Sequence, residues 1–469
     1  MMNWEELSPS LGELVAIQAK LEATLACLTG SDKSAALSEP FTLSSVLQTM
    51  RRFLLLLCLP LLANAADLSG TWHLHVLRFG EMSSATRIEF KVDAGSIAGT
   101  WNDAKITGTV SGDDVRIAAL RDGKEFLQLE GRVVGEEIKG TGKQGDDTFD
   151  FDMKRAPVVS GPAKTHNFVP TVFQRAFSGL IPPVLHIQPG DTVKTMTVDA
   201  GGRDSKGVRR SMGGNPETGP FFIEGAMPGD TVVVKLLRLK LNRDSAGSGD
   251  RIVPNALQAS YYRNAKFDDS FDSEWKLDAA TGMARLAKPS ERLKNFQVAM
   301  RPMLGCIGVA PPQKQSLRAG YLGSWGGNMD YSGVREGVTV YLPVYQEGAI
   351  LFLGDGHALE GDGELNGDAL ETSLDVDFQV DLVKGFSSNA PRFENAEYIM
   401  ASGIGNSLQD ALQQATTELA SWLERDYKLN ANESNIVLGT SIRYDIAEVV
   451  DPLMHVVAKI DKSVLATLK

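Results

Sequence analysis

Over 48 residues, from Glu336 to Val383, this chain has no lysine and no arginine. The same stretch holds eleven aspartates and glutamates and one of only six histidines in the sequence. Carboxylates crowded together without basic partners repel one another, and more strongly when water is excluded. At the centre of the run stands Gly354-Asp355-Gly356-His357-Ala358-Leu359-Glu360-Gly361-Asp362-Gly363-Glu364. A bound cation would compensate the charge, with His357 as a nitrogen ligand. Gly-Asp-Gly is also good turn chemistry, because glycine supplies positive φ and aspartate caps the bend. The local sequence leaves both readings open.

Cysteine is nearly absent, at Cys27, Cys58 and Cys306 alone. Cys306 lies in the apolar run Leu304-Gly305-Cys306-Ile307-Gly308, the setting of a buried, unreactive thiol. A surplus of basic residues is missing too. Lys and Arg number 47 against 59 Asp and Glu, a net charge of −12. That balance argues against nucleic acid and anionic membrane surfaces as partners. The apolar run Phe53–Leu62 is about ten residues, too short to cross a bilayer roughly 30 Å thick. It follows Met50-Arg51-Arg52 and precedes Ala63-Asn64-Ala65, so residues 50–65 read as a secretory signal removed before Ala66. The expected location is periplasmic or secreted, with no membrane attachment after signal removal. Residues 1–49 carry a weak amphipathic pattern (Leu11, Leu14, Ile17, Leu21) and a serine-rich tail. Met50 is the expected start, and 1–49 an over-extended reading of the gene. On that view Cys306 stands alone in the mature chain, and core burial replaces disulfides.

What remains is long enough for two or three units. Residues 67–155 contain eight short strand signals: Gly70–Phe79, Ala85–Val92, Ser96–Trp101, Lys105–Val110, Val115–Leu120, Phe126–Val133, Glu137–Gly142 and Phe149–Lys154. Turns such as Arg121-Asp122-Gly123-Lys124 separate them. The spacing predicts a small up-and-down β-barrel or sandwich with a filled core. A loose echo recurs in Gly99-Thr100-Trp101, Gly108-Thr109-Val110, Gly131-Arg132-Val133 and Gly140-Thr141-Gly142. His73 and His75 share one side of the first strand, and a place at the barrel rim is expected for them. Residues 156–165 read as a linker. From 166 to 469 a larger β-rich domain follows. Near its end Leu408, Ala411, Leu412, Ala415, Leu419, Trp422 and Leu423 fall at helical spacing behind Ser407, a natural N-cap. Ile446–Val450 and Val456–Ile460 are expected as closing strands. The fold class is mainly β (α+β), with C-terminal helices. His186 and His455 lie in strand-like runs and are expected to be structural.

A series of blocks in this second part resembles the acetamidase/formamidase family. They are Gln188-Pro189-Gly190-Asp191-Thr192-Val193, Gly219-Pro220-Phe221-Phe222-Ile223-Glu224-Gly225-Ala226-Met227-Pro228-Gly229-Asp230, Gly308-Val309-Ala310-Pro311, Gly326-Gly327-Asn328-Met329-Asp330, Gly354-Asp355-Gly356-His357 and Val449-Val450-Asp451-Pro452. Their joint order over residues 166–467 is specific where each alone is weak. The resemblance implies a β-rich amide hydrolase that releases ammonia from short carboxamides, a divalent metal at the Asp-x-His region, and association into homo-oligomers. Three positions depart from the family pattern. Asn215 precedes Pro216 where histidine is frequent, Asn366 precedes Gly367 where cysteine is frequent, and Glu360 stands where glutamine is common.

Hydrolysis of an unactivated amide needs a polarised carbonyl, an activated water and a proton for the leaving ammonia. A divalent metal, zinc by this reading with calcium the alternative, supplies the first two, and a nearby carboxylate carries the proton. The candidate ligands are Asp330, Asp355 and His357. Two residues apart on a strand, Asp355 and His357 face one side. Glu364 is the candidate general base, with Glu224 behind it. Asn328 and Asp362 are candidates for substrate binding, Asp362 also as a further base. A Ser–Lys signature is missing, and Gly323-Ser324-Trp325-Gly326-Gly327 lacks the pattern of a nucleophile elbow. Two other readings stay open: an exported ligand-binding protein on the same scaffold, and a hydrolase of other linear or cyclic amides.

Overall fold

Eight antiparallel strands open the described chain: β1 (Gly70–Arg78), β2 (Glu81–Asp93), β3 (Ser96–Trp101), β4 (Ala104–Ser111), β5 (Asp114–Arg121), β6 (Lys124–Val134), β7 (Glu137–Gln144) and β8 (Asp147–Arg155). This computed structural model describes residues 67–101, 103–157 and 161–468. The expected signal and the segment before it, and residues 158–160 of the expected linker, lie outside the described residues. Each barrel strand pairs with the next, and β1 pairs with β8 to close the barrel. The alternating pattern of strand residues puts Trp72, Leu74, Ile106, Leu129, Ile138 and Met153 inside, all 1% exposed or less. The interior is packed with side chains, as expected of a filled core. The recurrent glycines mark places where strands crowd. A Cβ on Gly99, Gly108 or Gly140 would stand 2.0 Å from a backbone carbonyl oxygen of the adjacent strand.

His73 and His75 are not at a rim. They lie mid-strand on the outer wall of β1, yet are only 1% and 4% exposed. The turn carrying Glu347 in the larger part covers them. Beside them Arg87 of β2 reaches the buried carboxylate of Asp230 at 2.6 Å.

The larger part is built from two large sheets and a two-stranded pair, Ala176–Ser178 with Ser316–Arg318. In the nine-stranded sheet, Thr231–Leu241 runs between Thr339–Pro343 and Leu374–Val383. In the eleven-stranded sheet, Leu351–His357 runs beside Met303–Gly308. The main core joins side chains of both, among them Val232, Val234, Leu304, Leu351, Val376 and Phe378. The strand Leu374–Val383 shows how this sorts the cation-free stretch. Leu374, Val376, Phe378 and Val380 are buried, and Asp375, Asp377 and Asp381 alternate onto the outer face. Those three carboxylates reach solvent and cost little. Asp355, Glu360 and Glu364 go inward.

The helix Leu408–Asp426 begins at Ser407, whose hydroxyl accepts from Asp410 N–H. Its face of Ala411, Ala415, Leu419, Trp422 and Leu423 packs on Tyr398–Gly405 and Met454–Asp461. A capping box of Asn430 and Glu433 starts a second helix, Ala431–Ser441. The final strands are Arg443–Glu448 and Met454–Asp461, the first beginning three residues ahead of its expected place. Among the described residues no helix is long and apolar enough to cross a membrane.

Candidate functional site

Every residue of Leu351–His357 is buried. Leu351, Phe352 and Leu353 anchor the strand in the core. Beyond them two glycines alternate with the two polar residues, and the glycines leave room. A Cβ on Gly354 would meet Glu217 Oε2 at 2.7 Å, and one on Gly356 would meet Leu374 Cγ at 2.7 Å. On one edge the strand pairs first with Glu217–Ile223, as far as Gly354, then from Gly356 with the short strand Glu371–Thr372. Asp355 sits at the handover, with a φ of 55° that aspartate tolerates better than most residues.

Around His357 the structure gathers five carboxylates. Nε2 lies 3.1 Å from Glu371 Oε1, 3.6 Å from Asp355 Oδ1 and 3.9 Å from Asp330 Oδ1. Nδ1 lies 3.0 Å from Glu360 Oε2. Asp330, His357, Glu360 and Glu364 form one close group, and Asp355, His357 and Glu371 another. Glu364 returns to the centre through a turn in which its N–H bonds Gly361 O, and its Oε1 accepts from Ala369 N–H at 3.0 Å. Asn328 stands behind. Its Nδ2 donates to Asp330 Oδ2 and Asp451 Oδ2, and its Oδ1 accepts from Asn215 Nδ2 at 2.7 Å. Asn215 also donates to Asp355 Oδ2 at 2.8 Å. The second oxygens of both aspartates are therefore held, and their Oδ1 atoms face inward without a hydrogen-bond partner. His357 Nε2 is likewise unpartnered.

Gly305 forms the floor. A Cβ there would stand 2.3 Å from Asp330 Oδ1, 2.8 Å from Asp355 Oδ2 and 3.0 Å from His357 Cε1. Any side chain would fill the space on which the three groups converge.

Nothing basic neutralises this cluster. Among the described residues no lysine or arginine pairs with Asp330, Asp355, Glu360, Glu364 or Glu371. Arg243 comes near, but its guanidinium is engaged with Asp199 at 2.8 Å and with the carbonyls of Ser245 and Glu371. Burial, then the charges of Glu364 and Asp355, pushes the Asp330 carboxyl well above the usual range. Burial likewise drives Glu364 up to about 10 and Glu371 to about 7. For His357 burial works against the charged ring, but Glu371 and Asp355 outweigh it and hold the imidazolium form. Protons or a cation must supply the missing positive charge. Partnerless inward oxygens, an inward imidazole nitrogen and a glycine floor suit a cation.

The structure thus brings together Asp330, Asp355, His357, Glu364 and Asn328 of the residues singled out from sequence. It sets two apart. Asp362 is exposed on the surface. Glu224 lies on the turn after Glu217–Ile223, pairs with His186 at 2.8 Å and is over a third exposed. Cys306 is fully buried, as its flanks suggest, but its thiol meets Asn328 Oδ1 at 2.7 Å and burial pushes its pKa well up. His455 is buried between Ser402 and the carbonyl of Met329. Sequence reading missed Glu371, Glu217 and Asp451 as parts of the site. Glu371 was signalled only by its place in the cation-free run. Glu217 follows Asn215-Pro216, a block noted for its departure from the family pattern, and is fully buried beside Gly354.

Glu371 also lines a cavity of about 500 Å³ with Asp368, Arg203, Arg243 and Ser248. This is the right scale for a small molecule, and Glu371 is the residue it shares with the cluster.

Residues 323–456 match the sequence profile of the Acetamidase/Formamidase family. Over 61 residues the chain is 44% identical to an acetamidase of Mycolicibacterium smegmatis, covering 13% of this chain and 15% of that one. Over 257 residues it is 22% identical to a formamidase of Methylophilus methylotrophus, covering 44% of this chain and 62% of that one. The chain therefore spans less than two thirds of each of these relatives. The crystal structure of an acetamidase from Yersinia enterocolitica superposes with a TM-score of 0.55 at 29% identity, over 66% of this chain and 94% of that one. The chain is thus similar to the acetamidase/formamidase family, in sequence over residues 323–456 and in fold over about two thirds of its length.

Proposed function

We propose that this protein hydrolyses the carbon–nitrogen bond of a short linear carboxamide, releasing ammonia, at a site that holds one divalent metal. The observation that carries the proposal is the inward convergence of Asp330 Oδ1, Asp355 Oδ1 and His357 Nε2, all without partners, above Gly305. An imidazole nitrogen at the centre favours a zinc-class ion over calcium, which takes six to eight oxygens. When bound, such an ion polarises a carbonyl and lowers the pKa of water.

The chain's own residues do the rest. Glu360 fixes the tautomer and tilt of His357 through Nδ1. Asn215 and Asn328 hold the outer oxygens of Asp355 and Asp330, so that the inner oxygens stay aimed. Glu364, buried and favouring its protonated form, is placed to exchange a proton with water or the leaving nitrogen. A small amide enters through the cavity beside Glu371. The similarity to an acetamidase and a formamidase supports this reaction class.

The deciding experiment measures ammonia release from a panel of carboxamides, with and without chelator and after metal restoration. Chelator-sensitive release from a short linear amide is expected. Absence of turnover of every amide in the metal-loaded protein would reject the proposal. Residues 50–65 support export to the periplasm or medium, and N-terminal sequencing of protein from the native host should begin at Ala66.

A further inference from the structure

We infer that a cavity of about 350 Å³ at the end of the helix Leu408–Asp426 is a second small-molecule site, which takes an uncharged aromatic carboxamide. Its walls come from the nine-stranded sheet, from the loop after Leu374–Val383 and from the last turn of that helix. It shares no residue with the cluster around His357 or with the cavity beside Glu371, so the inference stands apart from the proposed function.

Tyr341, Phe386, Trp422 and Tyr427 bring four aromatic rings to the walls. Tyr341 and Trp422 meet edge to face, with ring centroids 5.8 Å apart. The volume lies near the lower end of small-molecule sites, roughly 300–1,000 Å³, and suits one aromatic ring with a short substituent. Arg392 and Ser388 line the same cavity and are only 3% and 5% exposed. Among the described residues, Arg392 Nη1 and Ser388 Oγ have no hydrogen-bond partner. The guanidinium is nonetheless fixed. Its Nε donates to Glu418 Oε1 at 2.7 Å, and its Cζ lies 4.9 Å from the Trp422 ring centroid and 5.2 Å from that of Phe386. A buried donor without a partner is costly, most of all on a charged group. Both unpaired groups can donate, and a guanidinium can do nothing else. The ligand must therefore bring an acceptor oxygen.

Charge decides between a carbonyl and a carboxylate. Glu394 accepts from Lys462 Nζ at 2.5 Å and from Tyr341 Oη at 2.7 Å. Asp426 accepts from Arg425 at 2.5 and 2.6 Å, and Glu418 holds Arg392. Each basic group here already has its acid, so no surplus positive charge remains for an anion. The C-terminal end of the helix adds roughly half a negative charge. A neutral carbonyl fits where a carboxylate is repelled. Glu394 and Asp426 are 33% and 38% exposed, which puts them at the mouth. An ionised carboxylate offers about four acceptor sites, more than these two use, and the spare ones suit the NH₂ of a primary amide. Oxygen inward, ring against the aromatic walls and nitrogen at the mouth describe an aromatic carboxamide.

The test is calorimetric titration of the purified protein with benzamide, and with benzoate in parallel. One saturable benzamide site is expected in wild type, unchanged in His357→Ala, with benzoate about tenfold weaker or worse. Arg392→Lys keeps a cation for Glu418 but lacks Nη1, and should weaken benzamide about 10- to 100-fold, the effect of one charge-assisted hydrogen bond. Ser388→Ala should weaken it about 2- to 10-fold. Val383→Trp, at a wall position 38% exposed, should fill the cavity and abolish binding. Ser388 Oγ has no partner to lose and Val383 is partly exposed, so these two variants should fold even where Arg392→Lys does not. Binding unchanged in both Ser388→Ala and Val383→Trp overturns the site, as does the lack of saturable binding up to the solubility of benzamide. Loss of binding in His357→Ala places benzamide at the buried cluster and overturns it too. Tighter binding of benzoate than of benzamide overturns the uncharged ligand.

Discussion

Glu371 stands directly opposite His357 in a two-residue ladder, and its carboxylate is 3.1 Å from Nε2. Glu371 also lines the neighbouring cavity of about 500 Å³. On the proposed function, His357→Ala should reduce the metal content of the buried cluster to background, and Glu371→Gln should weaken binding without abolishing it. Elemental analysis after dialysis at limiting metal checks both. Equal content in wild type and His357→Ala would show that the ion binds elsewhere.

Glu364→Gln keeps the shape and the acceptor for Ala369 N–H while removing the titrating site. It should leave metal bound and lower kcat by a factor of roughly 10²–10⁴, the usual contribution of a general acid–base group. Steady-state ammonia release with parallel metal analysis gives the answer. Full turnover would make Glu364 a turn residue.

Gly305→Ala is the smallest change that closes the site, because its Cβ would lie 2.3 Å from Asp330 Oδ1. The variant should fold, with metal affinity reduced by at least the roughly 10- to 100-fold that disturbing a supporting contact costs. Calorimetric titration with zinc measures it. Unchanged affinity would remove Gly305 as the floor.

His455 gives a pH prediction away from the cluster. Burial lowers its pKa from 6.5 to about 4, although the carbonyl of Met329 opposes the shift. The ring is neutral in the fold, with Nδ1–H donating to that carbonyl and Nε2 accepting from Ser402. Between pH 6.5 and 4 the unfolded chain binds a proton that the folded chain does not. The stability is therefore fully present above pH 6.5 and is lost as pH falls toward 4, by roughly 3 kcal/mol in all. Urea midpoints at pH 7 and pH 5 should differ in wild type and differ less in His455→Gln.

The barrel was legible strand by strand, because eight short runs with polar turns between them have one simple arrangement. The helix behind Ser407 was equally plain from its spacing. The site was half legible. Asp355, His357 and Glu364 share one charged run, and Asp330 falls in a block with a family likeness. Glu217 and Asp451 were not picked out, although Asp451 falls in a block of the same likeness, since nothing in the sequence ties them to His357 across so long a separation. His73 and His75 were misplaced at a rim for a related reason: alternation says which way a side chain points, not what covers it.

The closed barrel has a consequence for the order of folding. Its strands pair with sequence neighbours, apart from the single closure of β1 on β8. The larger part depends on distant pairings, such as Glu217–Ile223 with Leu351–His357 and Thr231–Leu241 with Leu374–Val383. Local contacts form faster than distant ones, and N-terminal segments emerge first during synthesis. The barrel is then expected to form early, and Glu347 to dock on an existing surface. That docking would restrain the turn leading into Leu351–His357 before the strand finds its partners. Pulsed hydrogen exchange during refolding should show β1–β8 protected ahead of Leu351–His357. Simultaneous protection would mean that the two parts fold as one.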